Sequence, residues 1–224
     1  MALTVNLDRC HCVHSMSQVV DVAIQSLLYL REVIPEPMQQ LMQFDAEHKV
    51  VVQYQRICES LRQLFKSRNA RLLREIVFVL GPTPYMAKEV YKIPIRLCDD
   101  HAGSVDFGCG ESCESLCSRE VRSVFMTLQK FLHAGASTKG PNTKFFIFAR
   151  VSERLFNADT VDDIEEDDSF EVPSDELIKN RHIIVHEIHV PSCRKESQET
   201  ESDHEHPVKA GFWLRVVPFV LAQA

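Results

Sequence analysis

The run Glu75-Ile-Val-Phe-Val-Leu80, closed by Gly81-Pro82-Thr83-Pro84, decides the fold class. It is β-branched and aromatic, too short for a helix and free of polar alternation, so it predicts a buried strand that the Gly/Pro cluster stops. Two helical stretches precede it. From Ser17 to Val33, the residues Val19, Val20, Ala23, Ile24, Leu27, Leu28 and Tyr29 recur at three- and four-residue intervals. This predicts a helix with Ser15 or Ser17 as N-cap, ended before Pro35 and Pro37. From about Glu47 to Asn69, Val51, Tyr54, Ile57, Cys58, Leu61, Leu64 and Phe65 mark one face of a second helix, with Arg56, Glu59, Arg62, Lys66 and Arg68 on the other.

Downstream, Val90 to Leu97 predicts a strand or extended edge, and Glu120 to His133 a third helix through Val121, Val124, Phe125, Leu128, Phe131 and Leu132, with Gly135 as C-cap. Lys144 to Arg150, Arg181 to Val190 and Phe212 to Leu221 read as further strands. The order helix, helix, strands, helix, strands contains no βαβ alternation. It predicts an α+β domain with helices on one face of an antiparallel sheet. Residues 1–16 are expected to be a flexible segment and 17–224 a single domain. Mobile loops are expected near 98–118, 158–176 and 191–209; the second holds Asp162, Asp163, Glu165, Glu166, Asp167, Asp168 and Glu171.

The 224 residues are 45% hydrophobic and 25% charged, which suits one domain. With 32 acidic side chains against 25 basic ones, the formal charge of −7 repels a phosphate backbone, and nucleic acid is not an expected partner. No apolar run approaches the roughly 18 residues of a membrane span. Met1 to Leu7 has neither the basic region nor the apolar length of a signal peptide, so the cytosol or nucleus is expected. There the eight cysteines would be reduced thiols. The seven glycines form neither GxGxxG nor GxxxxGK[ST], the two common phosphate-cradling loops.

Cys10-His11-Cys12-Val13-His14 and the triplet Cys109, Cys113 and Cys117 are the clusters with zinc-ligand types, but no Cys-x-x-Cys knuckle exists. Unliganded thiols are the expectation and a zinc-stabilised domain the alternative. Asp106, Glu111 and Glu114 flank the triplet and oppose thiolate formation, which argues against a thiol enzyme. No Gly-x-Ser-x-Gly elbow presents a serine. His182 and His186 would share one face of a strand and His189 the other, as surface residues. The acidic run at 162–168 lacks the glycine of an EF-hand loop, and Arg56, Arg62, Lys66, Arg68, Arg71 and Arg74 lack interleaved aromatics, so they read as a solvated face. No catalytic constellation emerges, no cofactor or metal is expected, and binding is the leading class.

The stretch Gln18-Val-Val-Asp-Val-Ala-Ile-Gln-Ser-Leu-Leu-Tyr-Leu-Arg-Glu-Val-Ile-Pro-Glu-Pro37, then Gln40-Leu41, resembles the first helix of the comet family, Mad-two-binding adaptors that silence the spindle checkpoint. Leu61-Arg-Gln-Leu-Phe65, Ile76-Val-Phe-Val-Leu-Gly81, Lys88-Glu89-Val90-Tyr91, Val121-Arg-Ser-Val-Phe125 and Glu171-Val-Pro-Ser174 follow in the family's order. The resemblance implies a HORMA-like fold with three helices on an antiparallel sheet and C-terminal closing strands. It implies a non-enzymatic adaptor, nuclear and cytoplasmic and able to associate with the mitotic spindle or kinetochore. Such an adaptor binds the closed conformer of Mad-two and presents it to a Pch-type AAA+ ATPase. The family's contact aromatic in the third helix matches Phe125, and its first-helix glutamine corresponds to Leu30, an exposed-looking apolar residue here. The stretch before Glu171 is acidic where the family uses a Pro-Lys element toward the ATPase, so no residue is carried over for that contact. Another HORMA branch, in autophagy or DNA repair, is the alternative.

Overall fold

The structure, a computed structural model, describes residues 1–7, 12–97, 115–134, 143–153, 163–191 and 211–221. Its strands are β1 (Ala2–Thr4), β2 (Leu73–Gly81), β3 (Glu89–Pro94), β4 (Lys144–Val151), β5 (Ile164–Glu166), β6 (Ile184–His189) and β7 (Phe212–Leu221). The helices are α1 (Val13–Leu30), α2 (Met38–Phe44), α3 (Lys49–Leu64), α4 (Ser67–Ala70), α5 (Ser118–Ala134) and α6 (Asp175–Arg181). The class is α+β. None of the described helices is long and apolar enough to cross a membrane.

Both ends of α1 are set locally. Cys12 is the N-cap, not Ser15 or Ser17: Ser15 N–H donates to Cys12 Sγ and Cys12 N–H to Ser15 Oγ, a reciprocal capping box. The helix ends at Leu30, short of the expected Val33. Glu32 turns into the left-handed region at φ 54°, Glu32 N–H donates to Tyr29 O, and Val33 N–H donates to Leu28 O. This is a Schellman ending, with buried Val33 and Leu28 making its apolar contact.

The strands form one sheet in the order β1-β6-β3-β2-β4-β7-β5. The pairings β3–β2, β2–β4, β4–β7 and β7–β5 are antiparallel, but β1–β6 and β3–β6 are parallel. The sheet is therefore mixed, which corrects the antiparallel expectation. The cause is a crossover: β5 lies at one edge, β6 is the second strand from the other, and the chain between them crosses the face opposite the long helices.

That crossing corrects a second expectation. Residues 163–176 are not a free loop, because Ile164–Glu166 pair with β7 and Phe170 is buried. The acidic side chains of Glu165, Glu166 and Asp168 point to solvent while Phe170 stacks on Phe148 of β4 at 3.6 Å and meets Trp213 of β7 edge-on at 5.0 Å. Phe170, Val172, Leu177 and Ile178 cover Val77, Val79, Val90, Phe146 and Phe148. The other face packs Ile76, Phe78, Tyr91, Ile93, Phe145 and Ile147 under α1, α3 and α5. Burial on both faces explains why β2 reads as an unbroken apolar run.

In the stretch 1–16, expected to be flexible, the described residues 1–7 and 12–16 are ordered by the sheet and by α1. Ala2–Thr4 pair with Glu187–His189, Val5 N–H donates to His189 O, and the first turn of α1 begins at Val13. Of the loops expected near 98–118 and 191–209, only 115–118 and 191 are described, with Leu116 buried and Ser118 already the start of α5; the rest, and the Gly135 cap, lie outside the described residues.

Candidate functional site

α5 packs alongside α1. Val124, Leu128 and Leu132, four residues apart, face the core, so Val121 and Phe125 fall on the flank toward α1 and remain half-buried. The start of α5 is fixed by Glu120, whose carboxylate accepts from the Cys117 N–H at 2.7 Å, and the preceding turn is tied to α1 by the Leu116 N–H donating to Gln18 Oε1.

Two concavities open along this helix pair. One, of about 580 Å³, lies between Gln18, Asp21, Gln25 and Tyr29 of α1 and Val121 and Phe125 of α5. The other, of about 520 Å³, is lined by Tyr29, Leu30 and Val33 on one side and Gln129 and His133 on the other. Tyr29 belongs to both, so the candidates Phe125 and Leu30 lie on adjoining stretches of one surface. Leu30 is half-buried against the core and not the exposed residue the sequence suggests. Phe125 is neither fully core nor free: it packs on the core and also lines the groove. Met126, beside it, is exposed.

A polar cluster that the sequence did not reveal stands behind the first concavity. The Tyr54 hydroxyl donates to Asp21 Oδ1, Gln25 Nε2 donates to Asp21 Oδ2 at 3.1 Å, and the Cys58 thiol reaches Oδ1 at 3.5 Å. Burial and the neighbouring Asp21 push the Cys58 thiol up to about 12 and raise Tyr54 as well. Cys58 is thus a protonated thiol at neutral pH, with little nucleophilic character. The spacing of Asp21 and Gln25, one helical turn apart, was the available signal, but Tyr54 and Cys58 on α3 were legible only as apolar-face residues.

A second cluster locks α1 to the sheet. Arg31 Nε donates to Glu89 Oε2 at 2.7 Å and to Tyr91 Oη at 2.9 Å, while Nη1 donates to Leu132 O at 3.0 Å, near the end of α5. Tyr91 also donates to Glu89. Burial alone would lower the Arg31 pKa, but Tyr91 and Glu89 outweigh it and the net shift is upward. His186 of β6 is 1% exposed, stacks on Tyr91 at 4.6 Å and meets Phe131 edge-on. This overturns its expected surface position; His182 is not on the strand at all but caps α6 in the left-handed region.

Burial pushes the His186 pKa down to about 4, with Glu89 opposing and Arg31 and the N-terminal ammonium adding to the shift. The unfolded chain takes up a proton near 6.5, where the native imidazole stays neutral. Stability is therefore lost as pH falls from 6.5 toward 4. The difference amounts to about 3 kcal/mol at about 1.4 kcal/mol per pKa unit. Denaturant titrations across this range should show the loss in the wild-type protein and a flatter profile in His186→Leu. Equal slopes in the two would refute it.

The other sequence candidates separate. Cys12 is buried and serves as the cap of α1, Cys117 is exposed, and Cys10, His11, Cys109 and Cys113 lie outside the described residues. Among the described residues no group of three His, Cys, Asp or Glu side chains could hold a metal ion. In the basic stretch, Arg56 makes a bidentate pair with Asp163, and Arg62 pairs with Glu59 at 3.3 Å. No family model and no curated protein matches this chain.

Proposed function

We propose that this chain is a HORMA-like, non-enzymatic adaptor of the comet type. In this reading it binds the closed conformer of Mad-two through the α1–α5 face and thereby promotes checkpoint silencing in the nucleus and cytoplasm. The observation that supports it best is the adjoining placement of Leu30 and Phe125, joined by Tyr29, on one partly apolar surface. The two residues are 95 positions apart in sequence, and the resemblance alone nominated them as partners. A half-buried aromatic flanked by an exposed methionine suits an interface anchor, since desolvated aromatics carry much of the energy of protein contacts.

An adaptor of this kind acts by differential affinity. It marks the closed conformer only as far as it binds that conformer better than the open one. ATP hydrolysis belongs to a Pch-type AAA+ partner. Acidic residues stand where the family has its Pro-Lys element, so no residue of this chain is assigned to that contact.

Size-exclusion chromatography with Mad-two held closed or open tests the reading. Co-elution is expected with the closed form alone. Phe125→Ala should weaken it by about 2 kcal/mol, roughly 30-fold, and Leu30→Glu should abolish it, with both variants still folded by circular dichroism. Co-elution of neither conformer would sink the adaptor reading.

A further inference from the structure

We infer that Asp21 is the docking point for a basic side chain of the bound partner, so that the α1–α5 groove recognises a cation as well as an apolar surface. This rests on the adaptor reading above and deepens it.

A carboxylate has about four lone-pair positions on its two oxygens. Three are taken at Asp21, by Tyr54, Cys58 and Gln25, and all three donors are neutral. Among the described residues Asp21 has no cation within ion-pair distance, in contrast to Glu89, which holds Arg31, and Asp163, which holds Arg56. The remaining position belongs to a side chain that lines the groove. The donors also fix its orientation: Gln25 Nε2 bonds Tyr54 Oη at 2.8 Å as well as the carboxylate, which closes a small ring of hydrogen bonds between α1 and α3.

A half-buried negative charge with a fixed geometry and no counter-ion favours a ligand that brings one. A Lys or Arg entering the groove would place a charge-assisted hydrogen bond on the free position. The same charge would reject partners presenting a carboxylate there, which gives the site selectivity. Arg122, on the α5 wall, is exposed and makes no ion pair among the described residues. Its charge offsets that of Asp21 at long range. The effect of Asp21 should therefore appear in dissociation more than in association.

The test measures binding of closed Mad-two to the full chain and to Asp21→Asn, Tyr54→Phe and Arg122→Ala at low and high salt. Asp21→Asn keeps the shape and an acceptor for Tyr54 while removing the charge. Its affinity should fall roughly 30-fold, mainly through faster dissociation, with weaker salt dependence and an almost unchanged melting temperature. Tyr54→Phe, which leaves the charge in place but frees its orientation, should weaken binding less than Asp21→Asn does, and Arg122→Ala, which removes the groove's own cation, should tighten it. Asp21→Arg should lose binding and regain it when one Lys or Arg of the partner is changed to Glu. Wild-type binding with Asp21→Asn equally tight would overturn the cation site and leave the adaptor reading standing. Absence of wild-type binding would overturn both.

Discussion

Glu89→Ala should be among the most destabilising single substitutions in this protein, lowering unfolding free energy by about 3–5 kcal/mol. The reason is the position of its partner. Arg31 has 4% of its side chain exposed and Glu89 2%, so removing the carboxylate leaves a guanidinium buried without a counter-charge. Tyr91 would also lose its hydrogen-bond acceptor and the α1–β3 junction its strongest directional contact. Denaturant unfolding should show a lower midpoint with an unchanged slope. A double replacement, Arg31→Met with Glu89→Leu, should recover much of the loss, because two apolar side chains need neither desolvation nor pairing. A loss below about 1 kcal/mol in Glu89→Ala would mean that water reaches the pair and compensates it. Since Arg31 also holds the Leu132 carbonyl, the single variant should loosen the end of α5 and weaken partner binding through the groove walls.

Phe170→Ala should cost about 3–5 kcal/mol, the range for truncating a buried aromatic. Phe170 is the only aromatic in the crossover from β5 to β6, and it lies between Phe148 and Trp213. Its loss opens a cavity over the sheet face that has no long helix to cover it. Hydrogen exchange should reveal the consequence regionally: residues 163–183 should lose protection well before β2 and β4 do. Protection that falls evenly across the chain would show that the crossover is not a separate unit. Phe170→Leu, which fills most of the volume, should cost clearly less.

These two positions mark where local pattern stops being informative. The three long helices and the strands β2, β4 and β7 were legible because apolar periodicity and β-propensity are properties of neighbouring residues. Phe170 carried no such signal, since one aromatic among acidic residues reads as loop until Phe148 and Trp213 lie against it. The short strands β1 and β5 have no period to detect, and their order comes from the strands they join. His186 looked like a surface strand residue because the side that Tyr91 and Phe131 occupy is assembled from β3 and α5.

The candidate site divides in the same way. Phe125 and Leu30 were nominated by resemblance, and helical periodicity left open whether Phe125 belonged to the core. Packing of α5 on α1 answered that by leaving it on the shared flank. Asp21 was hidden, because its three donors come from two helices and their number matters only when they converge. The sequence alone determined the three long helices and the longer strands and that the domain is α+β, since hydrophobic burial enforces those periods residue by residue. Tertiary structure alone decided the mixed sheet, the crossover and the Arg31–Glu89 lock. Each depends on partners tens of residues apart, brought together by packing over a common core and by the need to pair every buried charge.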